Sequence, residues 1–174
     1  MNNDEFDIKE FENYVKNFNQ VYKELETWLK QFLLQQGLRV SALSKKRQRI
    51  IKAVDTGFMI NNWYVGKEQF ALRGTPYNYS TDFNSAFARH ASIDDVEVHG
   101  GDLVITIGNM AEYSAYVEYG HKSIAGNWVE GRFILTVSMD TVNNAMPSRF
   151  NREFKNWLKE KGAVWWVMKL WVKV

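Results

Sequence analysis

Ile8, Phe11, Val15, Phe18, Tyr22, Leu25, Leu29 and Phe32 follow one another at alternating spacings of three and four residues. Only an α-helix places such a series on one stripe, which predicts a long helix from about residue 7 to 36 with Gly37 as its stop. Burying each large apolar side chain is worth about 1.5 to 3 kcal/mol, so the stripe needs a partner. Lys9, Lys16, Lys23 and Lys30 recur every seven residues on another face, the spacing of coiled-coil heptads. Tyr14, Val21 and Trp28 widen the apolar stripe beyond a narrow two-helix seam, so packing on a sheet or within a ring of subunits is expected instead.

The 174 residues fit one α+β domain that includes this helix: a small antiparallel sheet packed with helices in a core over about 50–160, with a helical C-terminal part. From Leu38 to Lys52 there are six basic residues and no acid, and a second helix is expected there, capped by Ser41 or Ser44 and closed by Gly57. Asn62 to Val65 reads as a strand, extended or partnered by Gln69 to Leu72. Residues 73–92 read as a long contact loop with a short helix near Ser85 to His90. Apolar residues alternate on both sides of Gly100-Gly101 over 94–107, which predicts a hairpin with a two-residue turn. Tyr113 to Tyr119 is either a strand or a helical turn leading into one. A third helix follows Gly131, interrupted or bent near Pro147 and ended by Gly162. The apolar tail 163–174, with Trp165, Trp166 and Trp171, is expected to dock on the domain or on a neighbouring subunit.

Composition excludes several classes of function. No apolar run approaches the roughly 18 to 20 residues of a membrane span, and the acidic start Met1 to Glu5 lacks the pattern of a signal peptide. The absence of cysteine removes disulfides, thiolate metal sites and cysteine nucleophiles, and suits a reducing cytoplasm. His90, His99 and His121 are far apart, without metal-ligand spacing. No GxSxG, P-loop or GxGxxG occurs, so no catalytic residue and no cofactor is expected. Glu118 and His121 are three apart, but the intervening Gly120 argues against a shared helical face. Asp94 and Asp95 are adjacent and would point to opposite faces of a strand.

Interaction accounts for more of the chain. Net charge is only +2, yet residues 1–37 carry seven acids and four lysines, whereas 147–174 carry seven bases and two acids. That polarity suits either head-to-tail subunit contact or two solvated faces. The cluster Lys45, Lys46, Arg47 and Arg49 is either a solvated helix face or a surface for DNA phosphates or a neighbouring ring. Basic residues interleaved with tryptophans over 149–173 suit either base stacking or a buried tail. Glu118, His121, Lys122, Trp128 and Arg132 gather charges and an aromatic anchor within fifteen residues, the side-chain types that dominate interfaces. Placed in the first turn of a helix, Arg132 opposes the helix dipole and calls for an acidic partner, either within the chain, as a Glu118 bridge, or on a neighbour.

Val54-Asp55-Thr56-Gly57 with Asn62-Trp63, then Asn109 through His121, then Trp128 through Phe133, resemble in order and separation the neck or tail-completion proteins of tailed bacteriophages. The resemblance spans roughly 50 to 160, with the first helix and the tryptophan-rich tail as departures. It implies a non-enzymatic virion protein that forms a ring, of six subunits, through which DNA passes between head and tail. The alternative it carries is a tail-terminator ring, with a nucleic-acid-binding module as a more distant one. Its implied partners are further copies of itself, an adjacent head-closure or connector protein and a tail-terminator or tail-tube protein, with nonspecific proximity to DNA and assembly in the host cytoplasm.

Overall fold

The apolar stripe folds as helix α1, Ile8–Ile50, in a computed structural model that describes residues 8–54, 57–66 and 91–161. Its 43 residues form a rod about 64 Å long. Gly37 does not end it, and the second helix expected over 38–52 is its continuation. Glycine inside a helix costs about 1 kcal/mol relative to alanine, and close packing accounts for its presence here. A Cβ at Gly37 would stand 2.9 Å from Val65 Cγ1 and 3.5 Å from methyl groups of Ile105. Ser41 and Ser44, expected as caps, are buried mid-helix.

The partner of α1 is helix α4, Ile134–Glu160, which is continuous through Pro147 rather than interrupted. The two helices run antiparallel. Lys161 Nζ lies 2.8 Å from Glu24 Oε2, Arg149 Nη1 donates to Gln36 Oε1 at 3.2 Å, and Arg47 Nη2 donates to the Arg132 carbonyl at 3.4 Å. Trp28, which argued against helix pairing, is the centre of that pairing. Its ring lies 5.4, 5.3 and 5.9 Å from those of Phe150, Phe154 and Trp157, and it stacks on Phe32 at 5.7 Å. Such aromatic pairs contribute about 0.5 to 1.5 kcal/mol each beyond the area they bury.

The expected antiparallel sheet takes the form, among the described residues, of three separate ribbons of two strands each. Strand β1, Trp63–Val65, pairs with β4, Ile107–Asn109; β2, Glu97–His99, pairs with β3, Asp102–Val104; β5, Gly120–Lys122, pairs with β6, Trp128–Glu130. The hairpin expected around Gly100-Gly101 forms, and both glycines have left-handed backbone, at φ 60° and 96°. Its second arm stops at Val104 rather than running to Ile107, because the chain crosses to β1. Gly57, at φ 78°, precedes the short helix α2, Phe58–Asn61, rather than closing a helix. The core gathers Met59, Trp63, Ala111 and Ile134 beside the C-terminal end of α1, where Trp63 Nε1 donates to the buried Gln48 Oε1 at 2.6 Å. The Gln69 to Leu72 extension, the 73–92 loop up to residue 90 with its short helix, the Gly162 stop and the 163–174 tail lie outside the described residues.

Candidate functional site

Asn62-Trp63, the Asn109 to His121 segment and the Trp128 to Phe133 segment, which carry the phage resemblance, converge at one end of the molecule. The Met110 N–H donates to the Asn62 carbonyl at 3.0 Å, and Asn109 uses both side-chain ends, Nδ2 to the Met59 carbonyl and Oδ1 from the Ala111 N–H. Asn109 thus ties β4 to α2 and turns the chain into helix α3, Ser114–Tyr119. Of the two readings of Tyr113 to Tyr119, the helical one holds. Glu118 therefore sits on a helix, not at a strand end, and Gly120 follows as the break into β5.

Gly120 has φ 87°, and a Cβ there would stand 2.5 Å from the Val129 carbonyl oxygen. A Cβ on Gly131 would overlap the Glu118 carbonyl. The two glycines let the end of α3 and the β5–β6 ribbon close on each other. Arg132 N–H donates to the Val117 carbonyl at 2.7 Å and Phe133 N–H to the Glu118 carbonyl at 3.1 Å, which directs the chain into α4.

Glu118 is 6% exposed, and its carboxylate is held within the chain. Oε2 accepts from the Leu135 N–H at 2.9 Å; Oε1 accepts from the Thr136 N–H at 2.9 Å and the Thr136 hydroxyl at 2.8 Å. Amides in the first turn of a helix have no acceptor within it, and a carboxylate is favoured at that end of the helix dipole. Phe133, at the N-cap of α4 with φ 48°, has no side chain able to do this. Glu118 is thus engaged within its own chain and makes no bridge to Arg132. Arg132 precedes α4 rather than lying in its first turn.

The remaining predicted residues stay near one surface. Lys122, Trp128 and Arg132 are exposed, Trp128 at 60%, and Ile124 at the tip of the β5–β6 ribbon is fully exposed. His121 is half-buried, its ring 5.7 Å from that of Tyr116, and its Nδ1 has no hydrogen-bond partner among the described residues. A cleft of about 670 Å³ opens beside the ribbon, lined in part by Lys52, Tyr113, Tyr116, His121, Glu130 and Arg132. The tyrosines and Lys52 were missed as site residues. Tyr113, Tyr116 and Tyr119, spaced by three, lie exposed along one side of α3, a period readable once that segment is known to be helical.

The basic cluster is wound around α1 and divided. Lys46 and Arg49 face outward, Arg47 reaches back to the Arg132 carbonyl, and Lys45 is half-buried. Desolvation, assisted by the Arg49 charge, lowers the Lys45 pKa below the ordinary lysine value. The four residues do not form a single phosphate-facing row.

Among the described residues no helix is long and apolar enough to cross a membrane, and no group of histidine and carboxylate side chains could hold a metal ion. Neither the curated proteins nor the solved structures contain a significant match. The family described as "Bacteriophage HK97-gp10, putative tail-component" matches residues 9–120, from the start of α1 to the end of α3. The match therefore takes in the long first helix, which the resemblance had set aside as a departure. With most of its length covered, including both Asn62-Trp63 and the Asn109 to Gly120 segment, the chain belongs to the HK97-gp10-like family of bacteriophage tail components.

Proposed function

We propose that the chain is a ring-forming structural protein of the phage neck, a tail-completion component that joins the DNA-filled head to the tail and leaves a lumen for DNA. It acts by assembly and without catalysis. The observation that carries this reading is the surface formed by Tyr113, Tyr116, Tyr119, Trp128 and Ile124, whose large apolar side chains stand in solvent in a tail-component family. Exposed large apolar side chains gathered on neighbouring elements mark sites of protein association, and aromatic residues supply much of the energy of interfaces. A ring of six copies, stacked between a head-closure or connector protein and a tail-terminator or tail-tube protein, would cover it. The division of the basic cluster fits a lumen, because a dense phosphate-binding row would impede passage of DNA.

The test uses a phage from which the gene is deleted. DNA-filled heads and finished tails should accumulate apart, and the purified chain added to the lysate should join them into infectious particles. Joined, infectious virions made without the chain would overturn the proposal. Tails of uncontrolled length would instead assign the chain to the terminator ring.

A further inference from the structure

Two oppositely charged surfaces lie at separate levels of α1. Residues 91–110 contain four acids and no lysine or arginine. Asp94, Glu97 and Asp102 are exposed on and beside the β2–β3 ribbon, next to the exposed Val98 and Val104. Glu97 Oε2 is 2.7 Å from the exposed His99 Nε2, and Asp95 turns inward to accept the Ser92 N–H, so Glu97 and Asp102 are the carboxylates of the outer ribbon face. Around the cleft and the β5–β6 ribbon basic residues lead among the described residues, with Lys52, Lys122 and Arg132 exposed against Glu130 and the neighbouring Glu112.

The acidic ribbon rests at the level of Gly37. There Ile105, just past β3, approaches α1, and Gly66 lies against Asp95. The basic cleft lies beyond Ile50, about 20 Å further along the helix axis. That separation exceeds the screening length of about 8 to 10 Å at physiological salt, so the two surfaces do not neutralise each other within one chain.

We infer that the acidic β2–β3 ribbon of one copy docks on the basic, aromatic cleft and β5–β6 ribbon of the next. The contact joins two different surfaces of the same chain, a heterologous association, which generates a closed ring when the rotation per subunit divides the circle. Val104 meets Tyr116 and Trp128, while the carboxylates on the same ribbon face, Glu97 and Asp102, meet Lys52 and Arg132. Exposed ion pairs add little affinity, so the charges set orientation and partner choice, and the apolar contact supplies the hold. An isolated two-stranded ribbon is marginally stable in water, and both ribbons gain a neighbour in this arrangement.

The inference rests on the ring reading and is tested separately from it. In the gene-deletion phage, the Lys52→Glu, Arg132→Glu chain and the Glu97→Lys, Asp102→Lys chain should each give at least tenfold fewer joined particles than the wild type. Supplied together, or with all four changes in one chain, they should restore joining, because like charges no longer meet at any contact. Wild-type yield from either double variant, or a quadruple variant no better than the doubles, would overturn the pairing and leave the ring reading standing. The copy number of the wild-type chain per virion tests the ring itself: a single copy would overturn both.

Discussion

Glu118 holds Thr136 twice through one carboxylate oxygen, at 2.9 Å to the backbone N–H and 2.8 Å to the hydroxyl, and so anchors the start of α4 to the end of α3. Removing a helix cap costs about 0.5 to 2 kcal/mol, and stranding buried donors that face a charge adds to that. Glu118→Ala should therefore lower stability by about 2 to 3 kcal/mol in urea unfolding, and Thr136→Val by about 1 kcal/mol. A Glu118→Ala chain as stable as the wild type would show that the cap contributes nothing.

Gly37 sits where α1 lies close against Val65 of β1. In an open helix, alanine would add about 1 kcal/mol of propensity; here its Cβ meets the stiff, buried Val65 at 2.9 Å. Gly37→Ala should give no gain, and Gly37→Leu should cost about 1 to 3 kcal/mol by overpacking, read as a drop in the thermal midpoint.

Gly120→Ala should be more damaging. The φ of 87° and the Val129 carbonyl at 2.5 Å both oppose a side chain, and strain of this kind costs about 1 to 3 kcal/mol. Amide hydrogen exchange should show the β5–β6 ribbon losing protection before α1 and α4 do.

Lys45 should be dispensable for stability at neutral pH. Its pKa is lowered in the folded chain, so between that value and 10.5 the unfolded chain binds the proton more strongly. The penalty is fully present below the folded pKa and is relieved as pH rises towards 10.5. Lys45→Met should be at least as stable as the wild type at pH 7, and the difference should shrink by pH 10.5 when thermal midpoints are compared.

The tryptophans should separate folding from assembly. Trp157 is buried against Trp28 and Phe154, so Trp157→Ala should cost about 3 to 5 kcal/mol. Trp128, largely in solvent, should change stability by no more than about 0.5 kcal/mol as alanine, while abolishing head-to-tail joining. An unfolded Trp128→Ala chain would place that ring in the core instead.

What the sequence determined by itself was local. The three-and-four spacing from Ile8 to Phe32 specified a helix, the alternation around Gly100-Gly101 specified a hairpin, and the ordered segments from Asn62 to Phe133 specified a phage family. In the first two cases the signal and the structure it produces lie within a few turns of chain, and in the third within short segments read in order. The tertiary structure decided what depends on approach from elsewhere. Gly37 carries the same sequence signal whether a helix ends there or a strand packs against it, and only Val65, brought alongside, settles which. Glu118 looks like a surface charge three residues before a histidine until the β5–β6 ribbon turns the chain back and presents the free amides of α4. That return over eighteen residues depends on Gly120 and Gly131 closing together, a contact that no spacing in the sequence encodes.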